Sequence, residues 1–239
     1  MKTCWMLLVG LLLISSCAIN HLNEEKTVIV LDKGNSETHL IVSVNKGPEW
    51  SHEFKPGPFV IHVYPQMVFW VENQNGELVE TLYVSGADGK GFRNATKKQL
   101  GEEFYRLCFP IWSKKMNLVA HQLPTKEIPY SDAVTSATPQ SSFDLDIHMG
   151  AFSTPFVLYA EINKSMDYNQ IYTKENTDWI GQPSVVYAAQ IDSLYNNQTT
   201  SLKPIGFSDD SKKPPELIRS FEGIDTALSM VDEIQFLFK

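Results

Sequence analysis

Asp144, Asp146 and His148 occupy every second position of "SFDLDIHM". On a β-strand, residues spaced by two share a face, with side chains about 7 Å apart. Carboxylates and an imidazole in that array suit a divalent ion when another element completes the shell. The same pattern is also that of a half-buried edge strand, with Phe143, Leu145, Ile147 and Met149 inward and the three polar residues in water. The wet-face reading is the simpler one, because His21, His39, His52, His62 and His121 are scattered without ligand spacing and no zinc or calcium signature occurs. A second grouping is "DAVTSATPQS". There Asp132 is expected to cap the backbone amides of residue 134 or 135 as an Asx turn, while Thr135 and Ser136 satisfy loop carbonyls. A hydrolase would need a nucleophile, a base and an orienting group. The chain has no Gly-x-Ser-x-Gly elbow, no cysteine in a catalytic motif and no paired carboxylates in a recognisable context. Glu102 and Glu103 read as a solvated helix face, and "SGADGKG" as a turn. The expectation is a protein that is not an enzyme and holds no metal or cofactor.

These residues must be presented somewhere, and the N-terminus bears on where. Lys2 precedes an unbroken apolar run, Met6 to Ile14, far short of the about 20 residues that span a bilayer. A short run of this kind followed by small residues is a secretory signal. The order Leu13, Ile14, Ser15, Ser16, Cys17 resembles the lipobox of bacterial lipoproteins. That resemblance implies a signal peptide over 1–16, with Cys17 diacylated (a palmitate-type anchor) as the new N-terminus and residues 17–26 as a polar tether. The mature protein would be attached to a membrane, not threaded through it. Its place would be a bacterial cell envelope, periplasmic or surface-exposed.

The formal net charge is −8, and the removed segment carries Lys2 but no acid, so the mature chain is more acidic still. Dispersed negative charge argues against nucleic acid and against an anionic membrane surface. Cys4 leaves with the signal and Cys17 takes the lipid, so Cys108 has no disulfide partner. Its apolar neighbours in "YRLCFPIW" make it a small buried hydrophobe.

The dominant local signal is β. "TVIVLD" (27–32) and "THLIVSVNK" (38–46) are β-branched and separated by a turn-forming cluster. "PFVIHV" breaks at Pro65, a strand follows from Met67 to Glu72, and "NQNG" predicts a hairpin into a strand from Leu78 to Val84. A helix is expected over 95–109, where Leu100, Phe104 and Leu107 fall at helical spacing and Pro110 ends the run. "TPFVLYAEINKS", "QPSVVYAAQID" and "DEIQFLFK" read as strands, and "SDDSKKPP" (208–215) as a solvated loop. Many short strands with one short helix predict an antiparallel β-sandwich, a single domain over 27–239.

"PQMVFWVENQNGELVETLYV", "FPIWSKK" and "DAVTSATPQSSFDLDIHMG" followed by "PFVLYAEINKSMDYN" resemble, as an ordered set, the secreted bacterial family called domain of unknown function 2271. The likeness covers about residues 60–165. It implies an immunoglobulin-like sandwich and, since members are often encoded beside membrane reductases and flavin transferases, an envelope redox or metal-uptake setting with an envelope protein as partner. The family has no assigned activity, so the function follows from sites and not from the fold. Asp132, Thr135, Ala137 and Thr138 also match the acceptor pattern of bacterial flavin transferases, which link FMN to the last Thr of Asp-x-x-Ser/Thr-Gly-Ala-Thr. Ser136 replaces the Gly, and Pro139 stiffens the bond after the acceptor. Three functions follow from these features. The first is a non-enzymatic binding or accessory lipoprotein. The second is an electron carrier with covalent FMN on Thr138. The third is a glycan-binding module using Trp70, Trp112, Trp179 and Tyr159, Tyr168, Tyr172 and Tyr187.

Overall fold

The computed structural model describes residues 26–32, 39–85, 106–118, 134–136, 139–148, 154–192 and 199–239. Cys17, Asp132 and Thr138 lie outside them. The protein is mainly β. The strands are β1 (Thr27–Asp32), β2 (His39–Lys46), β3 (His52–Phe54), β4 (Ile61–Val63), β5 (Gln66–Asn73), β6 (Leu78–Ser85), β7 (Val134–Ser136), β8 (Phe143–His148), β9 (Phe156–Asn163), β10 (Val185–Ile191), β11 (Thr200–Asp209), β12 (Glu216–Ile218) and β13 (Val231–Phe238). The main sheet runs β1-β8-β2-β13-β11-β10-β9-β5-β6-β7, with β12 on β11 and a separate β3–β4 hairpin. Most neighbours are antiparallel, as expected. The two end pairs, β1–β8 and β6–β7, are parallel and depart from the expected all-antiparallel arrangement. Sequence-distant segments meet in both, so no hairpin turn dictates their direction.

The sheet curls until it is nearly a barrel. Tyr83 on β6 and Phe143 on β8 come from opposite reaches of the strand order, yet their ring centroids are 6.3 Å apart. Phe156 on β9 meets Phe238 on β13 edge to face at 6.4 Å. One interior therefore serves both reaches, filled by Leu40, Val42, Val44, Phe69, Leu145, Leu158 and Ile234 among others. The curl is made in β11. Thr200 to Leu202 pair with β13, whereas Lys203 to Phe207 pair with β10 around a register shift next to Pro204. Proline has no N–H to give a ladder and is tolerated at such a bulge. Gly206 beside it has φ +150, and a Cβ there would stand 2.1 Å from the Ile218 carbonyl oxygen, so only glycine lets β12 come that close.

β5 is buried on both faces, because a helix covers the side turned away from the main core. That helix is α1 (Pro110–Leu118), additional to the one expected over 95–109, of which residues 95–105 lie outside the described residues. Residues 106–108 are helical and that run stops at Phe109, directly before Pro110, which then opens α1. Proline suits the first helical turn, where its missing N–H has no partner to lose. Trp112 and Met116 pack with Val68, Trp70 and Val84 in this second layer. A four-residue helix, α2 (Lys174–Thr177), and a 3₁₀ turn (Thr226–Ser229) add to the one helix expected. Val134–Ser136, expected in a loop, pairs as β7 with Tyr83–Ser85. The predicted turn between β5 and β6 is present. The Asn73 side chain accepts from Asn75 N–H at 2.9 Å, and Gly76 takes φ +75.

Candidate metal centre on the outer sheet face

β8 alternates as its sequence requires, with Phe143, Leu145 and Ile147 fully buried and Asp144, Asp146 and His148 half-exposed. β2 pairs antiparallel beside it, which sets the first residue of one strand opposite the last of the other: His39 faces His148, and Ile41 faces Asp146. His39 Nδ1 and Asp146 Oδ1 are 3.1 Å apart, and His148 Nε2 lies 3.9 Å from the same oxygen. The two imidazoles lie against each other, with centroids 4.0 Å apart and planes inclined at 38°. One ligating atom from each of the three residues falls within 4.8 Å of the other two. The edge of a tetrahedron with metal bonds of about 2.0–2.1 Å is about 3.3 Å, so two of these separations bracket that value and a small closure of the imidazoles reaches it.

The group differs from the one the sequence suggested. Asp146 and His148 belong to it. Asp144 does not, standing four residues and about 13 Å along the strand from His148. Its carboxylate is 3.5 Å from Lys26 Nζ instead. His39 replaces it. His39 opens a strand and His148 closes one, and antiparallel pairing of those two strands was the only step needed to join them. The resulting contact of His39 with Asp146 crosses 107 positions of sequence.

The buried ionisable groups serve the fold. Glu161 on β9 is fully buried and accepts from Trp112 N–H at 2.9 Å, Ile111 N–H at 3.2 Å and Ser184 Oγ at 2.6 Å. It thereby satisfies the first-turn amides of α1 from another element. Burial pushes its carboxyl up to about 7, against these hydrogen bonds, which favour the charged form. Burial foremost, with Glu161 nearby, drives the Cys108 thiol well above its ordinary value, so it is a packing residue. Lys115 Nζ pairs with Glu72 Oε2 at 3.0 Å, and Trp70 Nε1 donates to Glu72 Oε1 at 2.8 Å. Lys164, its side chain shut off from solvent, donates to the Glu49 carbonyl at 2.6 Å and lies 3.7 Å from Asp167 Oδ1. Burial, then the Lys164 charge, lowers His52 to about 4.

No protein-family model matches the chain, and no curated protein or solved structure is similar to it at a significant level. The site has to be read from its own geometry. The aromatic residues divide in the same terms. Trp70, Trp112 and Tyr187 are core, and Trp70 stacks on Tyr159 at 5.0 Å. Tyr172 and Trp179 line a cleft with Glu175, Asp178 and Asp210. Thr135 and Ser136 lie on β7 at the far end of the strand order from His39 and His148.

Proposed function

We propose that this protein is a lipid-anchored, non-enzymatic accessory protein of a bacterial envelope that binds a divalent metal ion, attached through Cys17 and acting beside a metal-uptake or redox partner. The carrying observation is the convergence of His39, Asp146 and His148 from two strands onto one outward surface. Imidazole and carboxylate are the donors such an ion takes, and half-exposure leaves it free to enter and leave. Exchange with a partner needs that openness, whereas a catalytic centre would add a nucleophile or a general base aimed at a substrate. The buried Glu161, Glu72 and Lys164 are committed to backbone or ion-pair partners.

The immunoglobulin-like sandwich of domain of unknown function 2271 is proposed as the finer architecture. The partner change of β11 at Pro204 supports it, since strands that pass between two packed sheets do so at bulges. This reading has no covalent flavin on Thr138. Cell fractionation and metal analysis test it together. The full chain should partition with membranes, Cys17→Ala should be released, and the released form dialysed against mixed divalent ions should retain about one ion per chain. A membrane-bound Cys17→Ala protein would sink the anchor, and a metal-free dialysed protein would sink the binding role.

A further inference from the structure

β1 lies parallel against β8 on the side away from β2, and its register sets Asp32 opposite His148. Residues paired in register point to the same face. The β1 face in question is outward, for Val28 and Val30 are 57% and 58% exposed and Asp32 is exposed. Asp32, His148 and His39 therefore form one row across three adjacent strands, and Asp146 stands two residues along the central one. From these positions we infer a four-ligand site for a zinc-type transition ion, His39, His148 and Asp146 with Asp32 from β1 as the fourth donor. The inference rests on the metal-binding reading above and adds to it the ion class and the closing ligand.

The span supports this shell. Asp32 and His39 are separated by two strand spacings of about 4.8 Å. A carboxylate arm from one side and an imidazole arm from the other, joined by two metal bonds of about 2 Å, cover that distance above His148. The donor set selects the ion. Two imidazoles suit zinc, copper and nickel, while calcium and magnesium demand all-oxygen shells of six or more. Two aspartates neutralise the dication, so the loaded surface carries no net charge from the ion and its carboxylates. The ion would also tie β1 to β8 and β2 through outward side chains, adding to the backbone pairing with β8 and the burial of Leu31 that hold this end strand.

The test uses untagged full-length protein in detergent, titrated calorimetrically with zinc chloride, with calcium and magnesium chlorides as comparison ions. Cobalt loading is read by visible absorption. The expected result is one zinc per chain, no calcium or magnesium heat, and the strong visible bands of four-coordinate cobalt. Asp32→Asn should weaken zinc at least about 10-fold and shrink the cobalt bands, as loss of a ligand shell member does. Asp144→Asn should bind like the parent, and melting without metal confirms that each variant is folded. Zinc binding undiminished in Asp32→Asn would overturn the fourth ligand and leave the metal-binding reading standing. Calcium binding as tight as zinc would overturn the ion class. Absence of any binding by the parent would remove both.

Discussion

Replacing Glu161 by Gln should flatten a specific part of the stability–pH curve. The carboxyl ionises near 4.5 in an unfolded chain and at about 7 in the fold, where burial opposes its charge. Between those values the folded state binds more protons than the unfolded one. Its contribution is therefore fully present below pH 4.5 and is lost as pH rises through 7. Each pH unit in that window costs about 1.4 kcal/mol, so the loss totals about 3 kcal/mol. Gln keeps the shape and cannot ionise; its single oxygen accepts from only one of the Ile111 and Trp112 amides, which donate to different oxygens of Glu161, and that loss is a pH-independent offset. His52, lowered to about 4, acts with the opposite sign over much of the same range. The two effects oppose each other in the parent curve, so the informative quantity is the difference between parent and variant. Urea unfolding at intervals from pH 4.5 to 8 should show the parent losing about 3 kcal/mol relative to Glu161→Gln. A difference that stays flat across the window, or that grows in the parent's favour as pH rises, would refute the assignment of Glu161 as a carboxyl held neutral by burial.

Three further predictions concern the core, the outer face and a buried ion pair. Leu145→Ala should cost about 2–5 kcal/mol by urea unfolding, because Leu145 is fully buried in the shared interior. Asp146→Ala in metal-free buffer should cost under about 1 kcal/mol, since its face is half in water, and a larger loss would mean the outer face contributes to the fold. Lys115→Met should destabilise by about 3 kcal/mol because it strands the buried Glu72 carboxylate; Glu72→Gln in the same chain should recover part of the loss in a double-mutant cycle.

Local chemistry made most of the strands legible. The alternation of Phe143 to His148, the β-branched run of Thr27 to Asp32 and the Asn73–Gly76 turn each follow from side-chain period or turn geometry, and each is present. β11 has no such local signal: Pro204 and Gly206 interrupt it at the bulge between two partner strands, where both are tolerated, and it runs on to Asp209, into the segment expected as a loop from Ser208. Pro110 shows a related duality, since the helical residues 106–108 stop before it and α1 begins at it, and proline marks both the stop and the first turn of helices. The candidate site was half visible. Asp146 and His148 announce their shared face within one strand, but His39 and Asp32 arrive only through register between strands far apart in sequence. No spacing rule within a segment carries that information.

The position of β2 in the strand order has a bearing on how the chain reaches its folded state. Val44 pairs with Ile234 on one side and Phe143 on the other, so an early strand has no partner until much later segments exist. Pairings of such long separation slow folding, because the entropy of closing the loop is lost before any contact is gained. During synthesis the first segments would emerge well ahead of β13 and stay unpaired. Under the envelope location proposed above that delay would be useful, since a polypeptide slow to close would arrive at the far side of a translocon still threadable. The same delay leaves the apolar strand Leu40 to Val44 open to other chains in the interval, and an export chaperone or rapid transit would be its protection.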